Sequence, residues 1–586
     1  MPRYLLLFIF FTSIVHAAPV AEKEGVPYQI RWEGIHDHAQ EKKIEAFSRL
    51  ENLKDSPPAS LPLLQKRMEQ DLSALTGLLQ ANGYYLATLK GTIESDSTPV
   101  QVVILCEPGP RFTIGQFHVN YAEAQRPRNP WKPLVKKGDP ATSQAIRSEE
   151  QRLIRHLKEN GYPSPRMLNR NVVVDPETHQ VNVGFEVDTG DPKRFGFLKI
   201  TGLESMKPKY IRRQKTWEFG ELYDIRLVED FESNLVLTGL FSRVRITPGP
   251  EEEDNEWIPL LLSLSERYAR TVRLGVNYRS DVGFGSNASW EHRNMFGRGE
   301  QFRFNLVLAE EESGVSASIR KPGFIRNNQS LLFNTALAKE QPEAYSSNSF
   351  ASAIGVERAF TRNFTSSLGV GYTYSSVEQL GEENTYALLF FPWKTKWDST
   401  RSDLNPISGN RLLTEVTPYT DLLRGGLSFT RVEASGSYYH QVSRRPQVVV
   451  AGRLTAGSLL GADSDNIPAS ERYYSGGGGS VRGYDYQSIG PEIEGQVVGG
   501  NALLEVSFEL RTRFTDTWGF ATFIDGGMVT REQVPIENFP MQWGVGVGLR
   551  IFTGIGPLRL DVATPLNAYA EQTSSFQFYI SLGQAF

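Results

Sequence analysis

Hydrophobic and polar residues alternate along the second half of the chain, from about residue 267 to residue 586, in segments of roughly ten residues. Val506, Phe508 and Leu510, for example, alternate with Glu505 and Glu509. Because successive side chains of a β-strand point to opposite faces, this pattern predicts strands with one apolar and one polar face. Gly, Asn, Asp, Ser and Pro separate the segments and are typical of turns. At about 20 residues for each strand and its turn, the region has room for roughly sixteen antiparallel strands.

The first half of the chain has a different pattern, in which a helical segment and two short strands recur three times. Asn82-Gly83 is repeated as Asn160-Gly161, and a fainter copy ends at Gly239, so that the three glycines are 78 residues apart. A glycine just after a helix is the expected C-terminal cap. Each unit has the order strand, helices, strand, strand, which predicts a small α+β domain with its helices on one face of a sheet.

These patterns define the predicted boundaries of elements and domains. The helices are predicted over Leu63 to Ala81, Ser143 to Asn160 and Asp224 to Thr238, and the last strand of each unit over Val100 to Leu105, Gln180 to Val187 and Trp257 to Leu264. The three α+β domains are predicted at 26–106, 107–187 and 188–266, and the strand-rich domain at 267–586.

The N-terminus predicts export from the cytoplasm. Arg3 precedes an apolar run from Tyr4 to Val15, which is too short to span a bilayer as a helix, and small residues precede a predicted cleavage site after Ala17. Residues 1–17 are therefore predicted to be a secretory signal peptide, with an uncleaved anchor as the alternative. No later stretch reaches the ~18 uninterrupted apolar residues that a membrane helix needs, so a membrane-spanning mature protein would have to span as strands.

A soluble β-sandwich and a membrane β-barrel would both show the alternation of the second half, since each has strands with one apolar face. The predicted export and the length of the region favour the barrel. The final segment also favours it, because Phe576, Phe578, Ile580 and Leu582 alternate in phase with the terminal Phe586. A closed barrel leaves no unpaired strand edge in lipid. We therefore predict an all-β membrane barrel of about sixteen antiparallel strands preceded by three α+β domains.

Composition narrows the possible function classes. The formal net charge of −5 over 586 residues argues against a nucleic-acid binder. The single cysteine, Cys106, ends an apolar run and is predicted to be a buried strand residue, so no disulfide framework is expected. The eight histidines are scattered, and G-x-S-x-G, H-E-x-x-H and metal-spaced Cys/His clusters do not occur in the sequence. We therefore predict no catalytic residues, no metal site and no cofactor.

A run of four glycines at 476–479 interrupts the strand pattern and is predicted to be a loop, because it cannot form a barrel strand. Arg482 follows it and would simply be solvated if the loop were exposed. If the loop folds into the barrel, the planar guanidinium suits paired contacts with carboxylates on the inner wall, for which Asp525 and Glu509 are the candidates. The predicted lumenal latch consists of Val481, Arg482, Gly483, Tyr484, Glu509, Phe523 and Asp525.

The loop motif is part of a wider resemblance. V-R-G-Y at 481–484, G-G-N at 499–501 and F-x-D-x-G at 523–527, with N-M-F-G-R-G-E at 294–300 and the final L-G-Q-A-F, resemble the outer-membrane assembly superfamily that includes BamA, TamA and two-partner secretion transporters. The resemblance covers the whole mature chain. The three N-terminal units and the longer motif V-R-G-Y-D-Y-Q-S-I-G-P at 481–491 are similar to the TamA branch. BamA-like members have five such polypeptide-transport-associated (POTRA) domains, and two-partner transporters have two.

The resemblance implies a sixteen-stranded barrel in the cell outer membrane, with three POTRA domains in the periplasm. It implies that the protein promotes insertion of unfolded outer-membrane proteins, autotransporters among them, into the lipid bilayer. The implied partner of the POTRA domains is a TamB-like protein anchored in the inner membrane, and nucleic acid is not expected as a partner. The alternatives are a two-partner secretion transporter, a passive porin or, from a different class, an outer-membrane hydrolase.

The hypothesis for the mechanism is strand templating at a lateral seam between the first barrel strand, at about Tyr268 to Ser280, and the last, at about Ser574 to Phe586. If that seam is short, its unpaired N–H and C=O groups can pair with a client strand. We expect Gly583 to let the last strand bend inward and shorten the seam. The predicted seam residues are Val272, Leu274, Val276, Tyr278, Phe576, Phe578, Ile580, Leu582, Gly583 and Phe586.

Overall fold

The computed structural model describes residues 25–35, 38–122, 127, 129–250, 255–280, 282–423, 425–534, 541–554, 556–567 and 576–586. The predicted signal peptide, residues 1–17, and the first two residues of the predicted last strand lie outside the described residues. The chain divides into two compact units. One consists of Met1–Leu198, Thr216–Asp230 and Thr247–Leu260, and the other of Lys199–Lys215, Phe231–Ile246 and Leu261–Phe586.

Three small sheets with helices come first along the chain. The helices are α1 (His38–Phe47), α2 (Arg49–Asn52), α3 (Leu61–Ala81), α4 (Ser143–Glu159), α5 (Pro208–Arg213) and α6 (Ile225–Leu237). The strands are β1 (Tyr28–Glu33), β2 (Thr88–Glu94), β3 (Val100–Glu107), β4 (Thr113–Tyr121), β5 (Arg166–Asp175), β6 (Gln180–Asp188), β7 (Arg194–Thr201), β8 (Phe241–Pro248) and β9 (Trp257–Glu266). The sheet orders are β1-β3-β2, β4-β6-β5 and β7-β9-β8. The predicted order strand, helices, strand, strand is confirmed in the first and third units, and the second unit has the same order with the single helix α4 among the described residues.

Helix α3 shows how the sequence builds the first unit. Leu64, Met68, Leu75 and Leu79 recur at helical spacing and are all buried, so one face of the helix is apolar apart from the buried Asp71, whose carboxylate accepts hydrogen bonds from the start of α2. Leu64 and Met68 pack in one core cluster with Val102 of β3, which lies in the middle of its sheet. Burying this face stabilises the helix against the sheet far more than its intrinsic helix propensity does.

A glycine in the left-handed conformation follows the main helix of each unit. The φ angle is +97° at Gly83, +102° at Gly161 and +68° at Gly239. Glycine adopts this conformation without the steric cost that a Cβ brings, so it ends a helix readily. The predicted glycine caps are confirmed, and each of the three helices begins and ends within two residues of its predicted bounds.

The remaining long strands form a closed antiparallel barrel. They are β10 (Arg270–Arg279), β11 (Gly283–His292), β12 (Gln301–Ala309), β13 (Glu312–Pro322), β14 (Gln329–Glu340), β15 (Ser346–Ala359), β16 (Phe364–Gln379), β17 (Glu382–Phe390), β18 (Trp393–Asp398), β19 (Gly409–Asp421), β20 (Ser428–Arg444), β21 (Gln447–Leu460), β24 (Ala502–Arg513), β25 (Trp518–Thr530), β26 (Gln542–Thr553), β27 (Gly556–Pro565) and β28 (Gln577–Leu582). The short strands β22 (Glu492–Ile493) and β23 (Gln496–Val497) form a separate hairpin.

Two of these segments, β17 and β18, are parts of one barrel strand. Both pair with β16 on one side and with β19 on the other, and the register is the same before and after the break at residues 391–392. Pro392 lies at the break and has no N–H to donate to the ladder. Counted in this way, the described residues form sixteen barrel strands, and the predicted fold class of α+β units followed by an antiparallel barrel is confirmed.

Alternate residues face opposite sides of the barrel wall. Val272, Leu274 and Val276 of β10 are exposed on the outside, whereas Ser507 and Glu509 of β24 are buried inside. An apolar outer face and a polar inner face are what a barrel needs to lie in lipid.

The last strand is shorter than predicted. β28 ends at Leu582, and Gly583 has a φ angle of +96°, which turns the chain away from the strand direction. Phe586 was expected to continue the outward series of Phe578 and Ile580, but its ring centroid lies 6.3 Å from that of the buried Tyr439. The prediction of a strand that continues to Phe586 is therefore wrong, because the turn at Gly583 breaks the alternation.

Two other features of the described residues bear on the predictions. No helix among them is both long enough and apolar enough to cross a membrane. Cys106 is buried and unpaired in β3, as predicted from the apolar run that it ends.

Candidate functional site: a lumenal loop beside a short seam

The segment between β21 and β24, residues 461–501, folds back against the inner face of the barrel. Its glycine-rich turn is held by two serines, since the hydroxyls of Ser475 and Ser480 both donate to the Glu505 carboxylate. Gly476 and Gly477 between them have φ angles of +103° and +97°. Only glycine adopts such angles without strain, so the glycine run lets the chain reverse direction within a few residues.

Arg482 is the centre of the loop's contacts with the barrel and is only 2 % exposed. Its Nε donates to Asp525 Oδ2 at 2.6 Å and its Nη2 to Asp525 Oδ1 at 3.1 Å, a bidentate pair. Its Nη1 donates to Asp561 Oδ2 at 3.0 Å and lies 3.5 Å from Glu509 Oε1. The guanidinium carbon lies 3.3 Å from the centroid of the Phe523 ring, which adds a cation–π contact. These contacts fix the loop to the wall.

Three further arginines complete the buried charge cluster. Arg550 donates through Nη1 to Asp561 Oδ1 at 2.5 Å and through Nη2 to Glu509 Oε1 at 2.7 Å. Arg511 Nε donates to Glu509 Oε2 at 2.8 Å, and Arg559 Nε lies 3.6 Å from Asp561 Oδ2. Because removing an ion from water costs several kcal/mol, roughly, each of these groups depends on the partners that the others supply.

The cluster keeps its central guanidinium charged. Burial alone would lower the pKa of Arg482, but the carboxylates of Asp525, Glu509 and Asp561 raise that pKa above its usual range. Within the described part of the chain, no group of His, Cys, Asp and Glu residues is arranged to hold a metal ion. The cations that these carboxylates meet are arginines.

Three glycines of β26 make room for the loop and its partners. Gly544, Gly546 and Gly548 occur at alternate positions and face the lumen. A Cβ at Gly544 would lie 2.0 Å from the carbonyl oxygen of Arg482, and a Cβ at Gly548 would lie 1.9 Å from Asp561 Oδ1. A Cβ at Gly546 would lie 2.3 Å from the Phe523 ring. A side chain at any of the three positions would therefore displace the loop or one of its partners, so the glycines belong to the site.

The other residues of the V-R-G-Y motif are buried as well. Val481 is fully buried, and the Tyr484 hydroxyl donates to the carbonyl oxygen of Asn567 at 2.7 Å. Gly483 has a φ angle of +103°, and its N–H donates to the Tyr579 hydroxyl of the last strand at 3.0 Å. The loop therefore contacts β28 directly.

The seam between β10 and β28 is much shorter than the strand pairs on either side of it. β10 pairs with β11 over ten residues, and β28 pairs with β27 over six. Across the seam, only Tyr278 and Arg279 pair, with Ile580 and Tyr579 respectively. Residues 270–277 have no strand partner on this side within the part of the chain that the structure describes.

The segment after the last strand turns towards the charge cluster. Gln584 Oε1 accepts a hydrogen bond from Arg550 Nε at 2.9 Å. The ring centroid of Phe586 lies 5.2 Å from the guanidinium carbon of Arg511. The end of the chain and the loop motif thus share the same set of arginines.

The structure places the predicted latch residues together. Arg482 contacts Asp525, Phe523 and Glu509, and the remaining predicted members flank it in the loop. The predicted seam residues are divided. Those at or beside the paired end are Tyr278, Phe576, Phe578 and Ile580; those on the unpaired part of β10 are Val272, Leu274 and Val276; and those at or beyond the end of β28 are Leu582, Gly583 and Phe586.

Sequence reasoning missed Asp561, Arg550 and Arg559. Each is a charged residue at a lumen-facing position of a strand, and that pattern was a usable signal. Asp561 lies opposite Gly548, and Arg550 lies opposite Arg559. Which carboxylate reaches which arginine depends on this register, and no local pattern encodes it.

Comparisons with known proteins agree with this geometry. The family model for the Omp85 superfamily domain matches residues 294–586. The outer membrane protein assembly factor BamA of Nitratidesulfovibrio vulgaris is 21% identical and the match covers 89% of this chain and 68% of that protein. For BamA of Neisseria meningitidis serogroup B the identity is 21%, covering 88% of this chain and 73% of the relative.

Solved structures show the same fold. BamA from Haemophilus ducreyi lacking POTRA domains 1–3 is similar with a TM-score of 0.69 at 19% identity, covering 80% of this chain and 99% of that one. CdiB from Acinetobacter baumannii is similar with a TM-score of 0.50 at 15% identity, covering 81% of this chain and 90% of that one.

Proposed function

Since the chain belongs to the Omp85 superfamily, we propose that it promotes insertion of β-barrel proteins into the outer membrane by templating client strands at its lateral seam. The observation that carries the proposal is the contrast in pairing, because β10 pairs over ten residues with β11 and over two with β28. The proposed site comprises this seam and the lumenal latch around Arg482. The proposed location is the outer membrane, with the three N-terminal units in the periplasm.

The short seam supplies a local driving force for pairing with a client strand. At about 1 kcal/mol of net stabilisation for each backbone hydrogen bond, a two-residue seam costs far less to open than a ten-residue pair. The unpaired N–H and C=O groups of residues 270–277 are costly in lipid, and an incoming client strand would satisfy them by β-augmentation. Strand exchange of this kind needs no nucleotide.

We further propose a TamA-like role within the superfamily. The support is the motif V-R-G-Y-D-Y-Q-S-I-G-P at 481–491, beside the three α+β units that the described residues form. In this proposal the units at 26–106, 107–187 and 188–266 are POTRA domains that bind a TamB-like, inner-membrane-anchored partner. The clients are unfolded outer-membrane proteins, autotransporters included.

A disulfide across the seam tests the proposal. Cysteines replace Tyr278 and Ile580, which are paired residues on the outer face, in a chain that carries Cys106→Ala. The oxidised protein should lose most of its assembly of an autotransporter client in proteoliposomes, and reductant should restore it. Assembly at the wild-type rate by fully crosslinked protein would rule out templating at this seam.

The matched control is a disulfide that does not close the seam. Leu274 and Ala288 are paired within the β10–β11 hairpin. Cysteines at these two positions should crosslink as readily and leave client assembly unchanged, since the hairpin stays intact during templating. A loss of assembly in the control would mean that the crosslink acts on the barrel in general.

Copurification from native membranes tests the narrower role. A TamB-like partner that binds through the N-terminal units supports it. Lipoprotein partners would instead favour a BamA-like role, and a single large exported substrate would favour a two-partner secretion transporter. Labelling of the purified protein by serine-hydrolase probes would favour the enzyme alternative.

A further inference from the structure

The loop and the last strand meet at a second point, beyond the arginine cluster. Gln577, the first residue of β28, is 1 % exposed and faces the lumen. Its Nε2 donates to Asp485 Oδ1 of the loop at 2.5 Å. Asp485 follows the V-R-G-Y motif directly in sequence. The loop therefore contacts β28 at the end where β28 pairs with β10.

The other side of the same amide faces the first strand. Ser280, just after β10, donates from Oγ to Gln577 Oε1 at 2.5 Å. The Ser280 hydroxyl also accepts the N–H of Phe578 at 2.8 Å, and the Ser280 N–H donates to the Phe578 carbonyl oxygen at 3.0 Å. These contacts extend the two-residue seam by one more pair of residues.

The contact with Asp485 fixes the orientation of the Gln577 amide. The Ser280 oxygen accepts the Phe578 N–H, and its proton goes to Gln577 Oε1 at 2.5 Å or to the Phe578 carbonyl oxygen at 3.2 Å. The amide oxygen of Gln577 therefore faces Ser280, and its NH₂ group faces Asp485. Reversing the amide would set its oxygen against a carboxylate in a buried site, which is unfavourable.

The hydrogen bond from Gln577 stabilises the charged form of Asp485. Burial raises the pKa of Asp485 and the nearby Glu343 raises it further, while the hydrogen bond from Gln577 lowers it. The side chain of Gln577 thus stabilises a partly buried carboxylate at the same time as it anchors Ser280.

We propose that Asp485 is a positioning residue that holds the closed end of the seam through Gln577 and Ser280, so that the lumenal loop controls how readily the seam opens. The inference rests on the proposed function in one respect: the contact affects client assembly only if the seam opens during assembly. Movement of the loop would release the amide of Gln577 and with it the last pair of residues that joins β10 to β28.

Hydrogen exchange of the full-length protein in lipid nanodiscs, without clients, tests the inference. Asp485→Ala should speed exchange about tenfold in peptides that cover Tyr278–Ser280 and Gln577–Ile580, the effect expected for loss of one charge-assisted hydrogen bond. Asp485→Asn keeps an acceptor for Gln577 Nε2 and should restore most of the protection. Unchanged exchange at the seam in Asp485→Ala would overturn the proposal.

A matched control and a second variant separate this role from general folding. Glu494→Asn removes an exposed carboxylate from the same loop, at a position with a φ angle of +54° that Asn tolerates, and should leave seam exchange unchanged. Ser280→Ala breaks the chain of contacts from the opposite side without touching the loop. It should increase exchange at least as much as Asp485→Ala does, because it also removes the acceptor of the Phe578 N–H.

The double variant Asp485→Ala, Ser280→Ala tests whether the two residues act through Gln577. If they do, the double variant should exchange no faster than Ser280→Ala alone. Multiplied effects would overturn the coupling. The result is independent of client assembly: a seam disulfide that leaves assembly intact defeats the proposed function, whereas unaltered seam exchange defeats the role of Asp485.

Discussion

Arg482 lies among three carboxylates and a phenyl ring, all on the inner wall of the barrel. Removing its side chain leaves Asp525 and Asp561 buried beside fewer cations, and an uncompensated buried charge costs about 3–5 kcal/mol. Arg482→Ala should therefore lower the temperature at which the folded barrel loses its fast mobility on SDS gels. Arg482→Lys should recover only part of the loss, since lysine cannot make the bidentate contact.

The control for this prediction is an arginine with the same side chain and no buried partners. Arg401 is exposed in the turn after β18. Arg401→Ala should leave the unfolding temperature within about 1 °C of wild type, the scale of an ordinary surface substitution. Equal effects of the two substitutions would mean that the buried cluster does not stabilise the barrel.

Gly544 tests the packing of the loop without changing any charge. A Cβ there would lie 2.0 Å from the carbonyl oxygen of Arg482, so Gly544→Ala should push the loop off the wall. We expect destabilisation of about 1–3 kcal/mol, read from urea unfolding of the barrel in detergent. Gly436→Ala is the control, since a Cβ there meets nothing nearer than 3.9 Å and should change stability by less than about 0.5 kcal/mol. Equal destabilisation by both would argue against a tight fit at Gly544.

At the scale of elements, the turn at Gly583 sets where the last strand ends. Gly583 adopts a φ angle of +96°, which residues with a Cβ disfavour. Gly583→Ala should therefore favour continuation of β28 along β10. We expect slower hydrogen exchange in residues 270–277 and slower assembly of clients.

The control for a longer seam is another left-handed glycine. Gly495 has a φ angle of +79° in the turn of the β22–β23 hairpin, and a Cβ there meets no atom within 4 Å. Gly495→Ala brings the same backbone strain and should leave exchange in β10 unaltered. If Gly583→Ala speeds exchange in β10 instead, the turn at Gly583 protects the seam and does not shorten it.

The sequence predicts those features whose residues lie close together along the chain. Helix α3 and its cap at Gly83 were predicted because apolar spacing and a glycine lie within one segment. The contact between Arg482 and Asp525 could be anticipated from residue type and strand face alone. The turn at Gly583 was expected, but not that Phe586 would leave the outward series, because its partner Arg511 is distant in sequence. Gln577 is one polar residue in an alternating strand, and no local pattern marks its contacts with Ser280 and Asp485.

At the scale of the whole molecule, the first two α+β units carry their own cores. The buried residues around Leu64 and Val102 come from the first unit, and those around Leu153 and Val183 come from the second. The third sheet differs, because its strands are divided between the two compact units of the chain.

A fragment of residues 26–187 should therefore fold alone and unfold cooperatively by circular dichroism. A fragment of residues 188–266 should be far less stable, since part of its packing belongs to each compact unit. A well-folded 188–266 fragment would show that the third unit is as independent as the other two.

The break at Pro392 has a consequence for how such a barrel could change shape. Among sixteen strands the interrupted one is the eighth, which is half-way round the wall from the place where the first strand meets the sixteenth. A ring that is cut at one point opens with least distortion when it bends at the point opposite the cut. Because Pro392 offers no N–H to the ladder, bending there sacrifices one hydrogen bond fewer than bending at a residue that has an N–H. A bend at Pro392 would therefore let the two halves of the barrel wall move apart at the seam.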